Sequence, residues 1–185
     1  GRIVSLPYGS GQALAFDGTE DHATASWPVG ASYTLETWVR IDDAGSTNTL
    51  FALKDADGSG DYGLLSVRET GEIRFLHRAP AGNSGGTSIL SDDGASYNDG
   101  VWHHVAAVYD ESSDGMTIYV DGAQVGDGTA TTPIDDEAQV VMGRLSLSGD
   151  SRNLTGVLDQ ARLWNAALTQ EQVQARMNRT VDQSS

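Results

Sequence analysis

The chain has 185 residues, with 26 acidic against 11 basic side chains, a formal net charge of −15 and a sequence pI near 4.3. So much negative charge argues against nucleic acid or an anionic membrane as a partner, since both call for basic surface. There is no cysteine, which removes disulfides, thiolate metal sites and thiol catalysis, and no apolar run approaches the roughly 20 residues of a membrane helix.

The length fits one domain with a sizeable core. With no initiator Met and no signal peptide, residues 1–185 read as one module of a longer chain, monomeric within it. Aspartate far outnumbers glutamate, and Lys54 is the sole lysine beside ten arginines. Such a surface suits salty, calcium-containing water, where salt screens self-repulsion. It predicts a bacterial protein of the cell surface or extracellular medium in a saline habitat, the alternative being an ordinary acidic domain.

In chain order, the first apolar stretch is ALAFDGTEDHATA (residues 13–25), where Asp17 and Gly18 follow a short strand. Tyr33–Ile41 alternates, placing Tyr33, Leu35, Thr37, Val39 and Ile41 on one face and Glu36, Trp38 and Arg40 on the other. Tyr62–Val67 and Glu72–Arg78 read as strands; in the second, Arg74 and Arg78 share one face and Ile73, Phe75 and His77 the other. Stretches 82–86 and 92–100 are Gly- and Asp-rich loops. Val101–Asp110, Met116–Val120, Gln139–Gly143 and Val157–Trp164 follow as strands, with Asp114-Gly115 and Asp121-Gly122 as tight turns. Thr169-Gln-Glu-Gln172 fits a capping box opening one short helix, which Val173 and Met177 could pin to the sandwich, and the end from Thr180 to Ser185 reads as frayed. The pattern predicts an all-β, antiparallel two-sheet sandwich or jelly roll with one short C-terminal helix.

Taken in order, ALAFDGTEDHATA, YTLETWVRI, GVWHHVAAVYDESSDGMTIYVDGAQVG, VVMGR and GVLDQARLWNAALTQEQV resemble the laminin-G-like jelly-roll domains of the concanavalin A-like lectin/glucanase superfamily. The resemblance implies a secreted or surface-exposed module within a larger protein. It gives Trp102, His104, Tyr109 and Trp164 packing roles and leaves that of His103 open. It also implies one calcium ion at the sandwich edge, held by Asp17, Asp159 and backbone carbonyls beside Gly18. Carboxylate and carbonyl oxygens suit calcium, and the alternative is that the two aspartates cap turns.

Asp55, Asp57 and Asp61, interleaved with glycine, form a second candidate metal loop, although Ser66 stands where a closing glutamate is needed. Asp92-Asp93 and Asp135-Asp136 are weaker acidic pairs. Glycoside hydrolysis needs two convergent carboxyl groups, and the chain has no E-x-D-x-x-E run and only seven scattered glutamates. The expectation is therefore a non-enzymatic module, binding a glycan or cell-surface ligand. Candidate ligand-binding residues are Trp27, Trp38, Arg74, His77, Arg78, Asn83 and Tyr97. Adhesin-like carbohydrate binding, an accessory role in a secreted glycoside hydrolase, and a protein-interaction or spacer role without a sugar site stay open.

Overall fold

The computed structural model describes residues 2–5, 12–43, 45–57, 60–134, 136–147 and 150–179. The aspartate at 135 and the segment from 180 onward lie outside the described residues. Fifteen strands and one helix follow in order: β1 Arg2–Ser5, β2 Gln12–Asp17, β3 Ala23–Val29, β4 Tyr33–Ile41, β5 Asn48–Asp55, β6 Asp61–Val67, β7 Ile73–Gly82 and β8 Thr87–Leu90. Then come β9 His103–Asp110, β10 Gly115–Val120, β11 Ala123–Thr129, β12 Asp136–Met142, β13 Arg144–Leu147, β14 Asp150–Asn153, β15 Thr155–Trp164 and α1 Gln170–Met177.

They form a seven-stranded sheet, β1-β2-β15-β4-β9-β10-β11, facing a six-stranded sheet, β3-β12-β5-β6-β7-β8, with β13-β14 as a separate hairpin. All described pairings are antiparallel. This is the expected jelly-roll sandwich. Its last long strand, β15, lies between β2 and β4, so the first and last parts of the chain share one sheet.

The core between the sheets contains Tyr33, Leu35, Val39 and Ile41 of β4, Phe51 and Leu53 of β5, Phe75 of β7, Tyr109 of β9 and Leu158 of β15. The inward set foreseen for β4 is thus inward. Its other face is buried too: Glu36 has no exposed surface. Helix α1 causes this, because Val173 and Leu168 pack on Ala106, Val108 and Tyr119 from the outer side of the seven-stranded sheet. The helix opens as expected, with the Thr169 hydroxyl accepting from the Gln172 N–H at 3.3 Å and the Thr169 N–H donating to Gln172 Oε1 at 2.9 Å.

On the six-stranded sheet, the outer face is covered by β13, whose Leu145 packs with Ala52, Leu64, Leu76 and Val141. The turn at Asp121-Gly122 has both residues at positive φ, 51° and 78°, as a primed hairpin turn requires. It leads into β11, which pairs with β10.

Candidate functional site

Asp17 and Asp159 stand on adjacent strands, yet they do not meet. Asp17 is opposite Thr155 in the β2–β15 ladder, and Leu14 is opposite Leu158. Asp159 is four residues beyond Thr155, which along a strand is about 13 Å at roughly 3.3 Å per residue. A calcium ion needs its oxygens at roughly 2.3–2.6 Å, so one ion held by both carboxylates does not fit this spacing.

Their environments differ as well. Asp17 is exposed and its Oδ1 accepts from the Thr19 N–H at 3.0 Å and the Thr19 hydroxyl at 2.6 Å, which holds its carboxyl below the usual range. Burial pushes the half-buried Asp159 carboxyl up, and it lies beside Trp38 in the β15–β4 ladder.

Gly18 takes a φ of 81°, and a Cβ there would come 2.2 Å from Thr155 Oγ1. That tight turn is tied to the β14–β15 junction by the Gly18 N–H donating to the Leu154 carbonyl at 2.9 Å. Asn153 Nδ2 adds bonds to the carbonyls of Gly18 (3.1 Å) and Thr19. The ends of the chain are therefore joined by an amide side chain and backbone, and those carbonyls already accept hydrogen bonds. Melting in EDTA and in excess calcium is expected to show the same calcium response, whatever its size, in wild type and Asp159→Asn. A response present in wild type but abolished by Asp17→Asn and by Asp159→Asn alike would restore the shared ion.

The loop from Asp55 to Asp61 does not gather its carboxylates either. Asp57 and Asp55 form a local turn, the Asp57 N–H reaching Asp55 Oδ1 at 3.5 Å. Asp61 is buried, and burial raises its pKa against the pull of Lys54 and Arg78. Asp136 accepts from the Tyr62 hydroxyl at 2.7 Å, and Asp93 accepts from that of Tyr97. Among the described residues, no three His, Asp or Glu side chains are grouped to hold a metal.

Burial reassigns most of the expected sugar-contacting aromatics. Trp27 is in the core, set edge-on to Tyr33 with ring centres 6.1 Å apart. His77 is 2% exposed, stacked on Tyr109 with ring centres 4.0 Å apart. Its Nε2 meets the Thr132 carbonyl at 2.7 Å and its Nδ1 the Tyr33 hydroxyl at 2.9 Å. A carbonyl only accepts, so Nε2 carries the proton and Tyr33 donates to Nδ1. Burial lowers the His77 pKa, which keeps the ring neutral. Tyr97 is buried against His103, and Trp38, half-buried, spends its indole N–H on the Met177 carbonyl at 2.7 Å under the end of α1. None of the four is an exposed platform. His103 bridges Asp121 at 2.8 Å and Asp99 at 3.4 Å, and the Asp121 hydrogen bond raises its pKa.

Arg74, Arg78 and Asn83 do reach solvent, along β7 and the turn that follows it. Arg78 folds back onto its own loop, donating to the carbonyls of Gly85 (3.0 Å), Asp61 (3.3 Å) and Gly82. Arg74 donates to the Ser88 hydroxyl at 2.8 Å and has no carboxylate partner among the described residues.

One cluster had no forerunner in the sequence reading. Glu36 Oε1 accepts from the Trp164 indole at 3.0 Å and from Arg162 Nη1 at 3.3 Å, and the buried His104 ring lies 3.6 Å from Oε2. Burial pushes the Glu36 carboxyl up, but these donors and the Arg162 charge outweigh it and hold its pKa low. Arg162 also reaches the Arg176 carbonyl at 3.5 Å and that of Arg179. A buried carboxylate is therefore bound to the cation that fastens the end of α1. The alternation of β4 puts Glu36 outward, but its partners come from 68 to 128 positions away.

Solved structures that share the fold include the following three. The heptameric SAP-like pentraxin of Limulus polyphemus matches at TM-score 0.68 and 19% identity, over 86% of this chain and 78% of that one. The CBM40 of Ruminococcus gnavus IT-sialidase, bound to α2,3-sialyllactose, matches at 0.67 and 11%, over 88% and 96%. Domain 4 of AbnA, a GH43 extracellular arabinanase from Geobacillus stearothermophilus, in complex with arabinotriose, matches at 0.65 and 19%, over 95% and 81%. The family model of the concanavalin A-like lectin/glucanases superfamily matches residues 15–174. With that match spanning most of the chain and two antiparallel sheets built as a jelly roll, the chain belongs to the concanavalin A-like lectin/glucanases superfamily.

Proposed function

We propose that this domain is a non-catalytic carbohydrate-binding module of a larger extracellular bacterial protein. The observation that carries this reading is its likeness, over 88% and 95% of its length, to two modules solved with oligosaccharides bound. Among the described residues, no helix is long and apolar enough to cross a membrane. A retaining or inverting glycosidase needs a second carboxyl group across from the first. Among the described residues Glu36, the buried glutamate of β4, has only His104, Arg162 and Trp164 as partners and no second carboxyl group, which supports binding without hydrolysis. A role as the accessory module of a secreted glycoside hydrolase keeps the same binding chemistry and differs in the neighbouring domains.

Burial of Trp27, Trp38 and Tyr97 favours a second reading, a protein-interaction or spacer domain without a sugar site. Screening the domain against an array of neutral and acidic glycans separates the two. The carbohydrate reading expects at least one class of glycan to bind. An array without a ligand leaves the spacer reading.

A further inference from the structure

Basic residues are scarce in this chain, yet several of them gather around one strand. Arg74 is on β7 between Ile73 and Phe75, both in the core, so its side chain leaves from the outer face of the six-stranded sheet. Arg68 and Arg78 flank it in sequence, and Arg152 approaches from β14. The hairpin sets Arg152 opposite Leu145, and Leu145 packs onto the sheet, so Arg152 shares the sheet-facing side of that hairpin.

Arg74 is half-buried, and its burial and the three nearby guanidinium groups all disfavour its charge. Other arginines of this acidic chain find acids: Arg40 pairs with Asp42 at 2.8 Å, Arg162 with Glu36 at 3.3 Å and, within the cluster, Arg68 with Glu72 at 3.8 Å. Among the described residues Arg74 has only the Ser88 hydroxyl, bonded through Nε, so the two terminal nitrogens of its fork are left for another acceptor. Ser66 is directly across the ladder from Arg74, fully enclosed, and its hydroxyl has no hydrogen-bond partner among the described residues. The Arg74 fork without an acid among the described residues, crowded by other guanidinium groups, and a buried hydroxyl without a partner there together describe half of a binding site whose other half is an anion.

Resting on the carbohydrate-binding reading, we infer that the outer face around Arg74, Ser66, Ser88 and Arg152 binds the oxyanion of an acidic sugar. The planar fork of Arg74 takes a carboxylate or a sulfate ester through two parallel N–H bonds, and Arg152 adds charge from the hairpin side. A neutral sugar offers nothing to neutralise the Arg74 fork.

Calorimetric titration with sialyllactose, a glucuronate-ended oligosaccharide, sulfolactose and lactose tests the inference, and the first three distinguish carboxylate from sulfate. At least one acidic probe is expected to bind about tenfold or more tighter than lactose, with affinity falling as salt rises. Arg74→Gln is expected to remove that preference, and Arg74→Lys to keep the charge but recover only part of it. Arg152→Gln serves as the second variant if Arg74→Gln does not fold. Amide shifts at Ser66 and Ser88 on titration locate the ligand independently. Neutral glycans binding as well as acidic ones overturns the anion site and leaves the carbohydrate reading standing. If no glycan binds, the carbohydrate reading falls, and sulfate ion decides the rest. A sulfate-induced rise in melting midpoint, lost in Arg74→Gln, keeps the anion site; no such rise overturns it.

Discussion

Arg162→Met is expected to destabilise the fold by about 3–5 kcal/mol, the cost of leaving a buried carboxylate without its cation. For a domain of this size that corresponds to a drop in melting midpoint of roughly 6–20 °C. Glu36 has no exposed surface, so it has no water to turn to when Arg162 is gone. The Trp164 indole remains as a donor to Oε1, while Oε2 has no hydrogen bond among the described residues and only the His104 ring nearby, at 3.6 Å. The same substitution removes the bonds from Arg162 to the carbonyls of Arg176 and Arg179, so the end of α1 should loosen first. Trypsin, which cuts after arginine, should reach that end faster in the variant. The double variant Glu36→Met with Arg162→Met should recover much of the loss, since it removes the charge along with its partner. An Arg162→Met protein within about 0.5 kcal/mol of wild type would mean that Glu36 does not hold a buried charge.

The strands most legible in the sequence were those whose two faces differ in polarity, or those closed by a strong turn. Tyr33–Ile41 has the observed bounds of β4, and the alternation of Glu72–Arg78 puts Ile73, Phe75 and His77 inward and Arg74 outward, as found. β5 escaped because its outer face is roofed: Ala52 lies beneath Leu145 of the hairpin while Phe51 and Leu53 face the core, so a run apolar on both sides shows no period of two. β3 escaped for the opposite reason. It is an edge strand of small and polar residues that carries Pro28, which a central strand would not tolerate.

The candidate site was less legible, because exposure depends on what covers each face. An isolated tryptophan on an outward face looks like a sugar platform until a helix from the far end of the chain lands on it, as α1 does on Trp38. Asp17 and Asp159 do lie on neighbouring strands, but the separation along the ladder depends on register, which the local pattern does not give. Arg74 was recognisable by face alone, and its lack of an acid partner only through the fold.

His77→Phe is expected to cost about 2–4 kcal/mol and to lower the melting midpoint by roughly 5–15 °C, although it keeps an aromatic ring of similar size stacked between the sheets. The stacking on Tyr109 survives, so the loss comes from the Tyr33 hydroxyl and the Thr132 carbonyl left without partners. The pH dependence identifies the cause. Burial lowers the His77 pKa in the folded state, so the unfolded chain binds the proton more readily. Stability contributed by neutral His77 is therefore present above the unfolded value, about 6.5, and is lost as pH falls through the lower folded value. Phenylalanine cannot titrate, so the gap between wild type and His77→Phe should narrow on acidification from pH 7 toward pH 5.

His103 has the opposite sign, because its raised pKa makes the folded state the better proton binder. Its contribution is complete below about 6.5 and fades as pH rises through the folded value. The comparison is therefore made in a His103→Gln background, where only His77 distinguishes the two proteins in this range of pH. A gap that widens as pH falls would mean that the folded protein holds His77 protonated, with Nδ1 donating to Tyr33 instead of accepting from it.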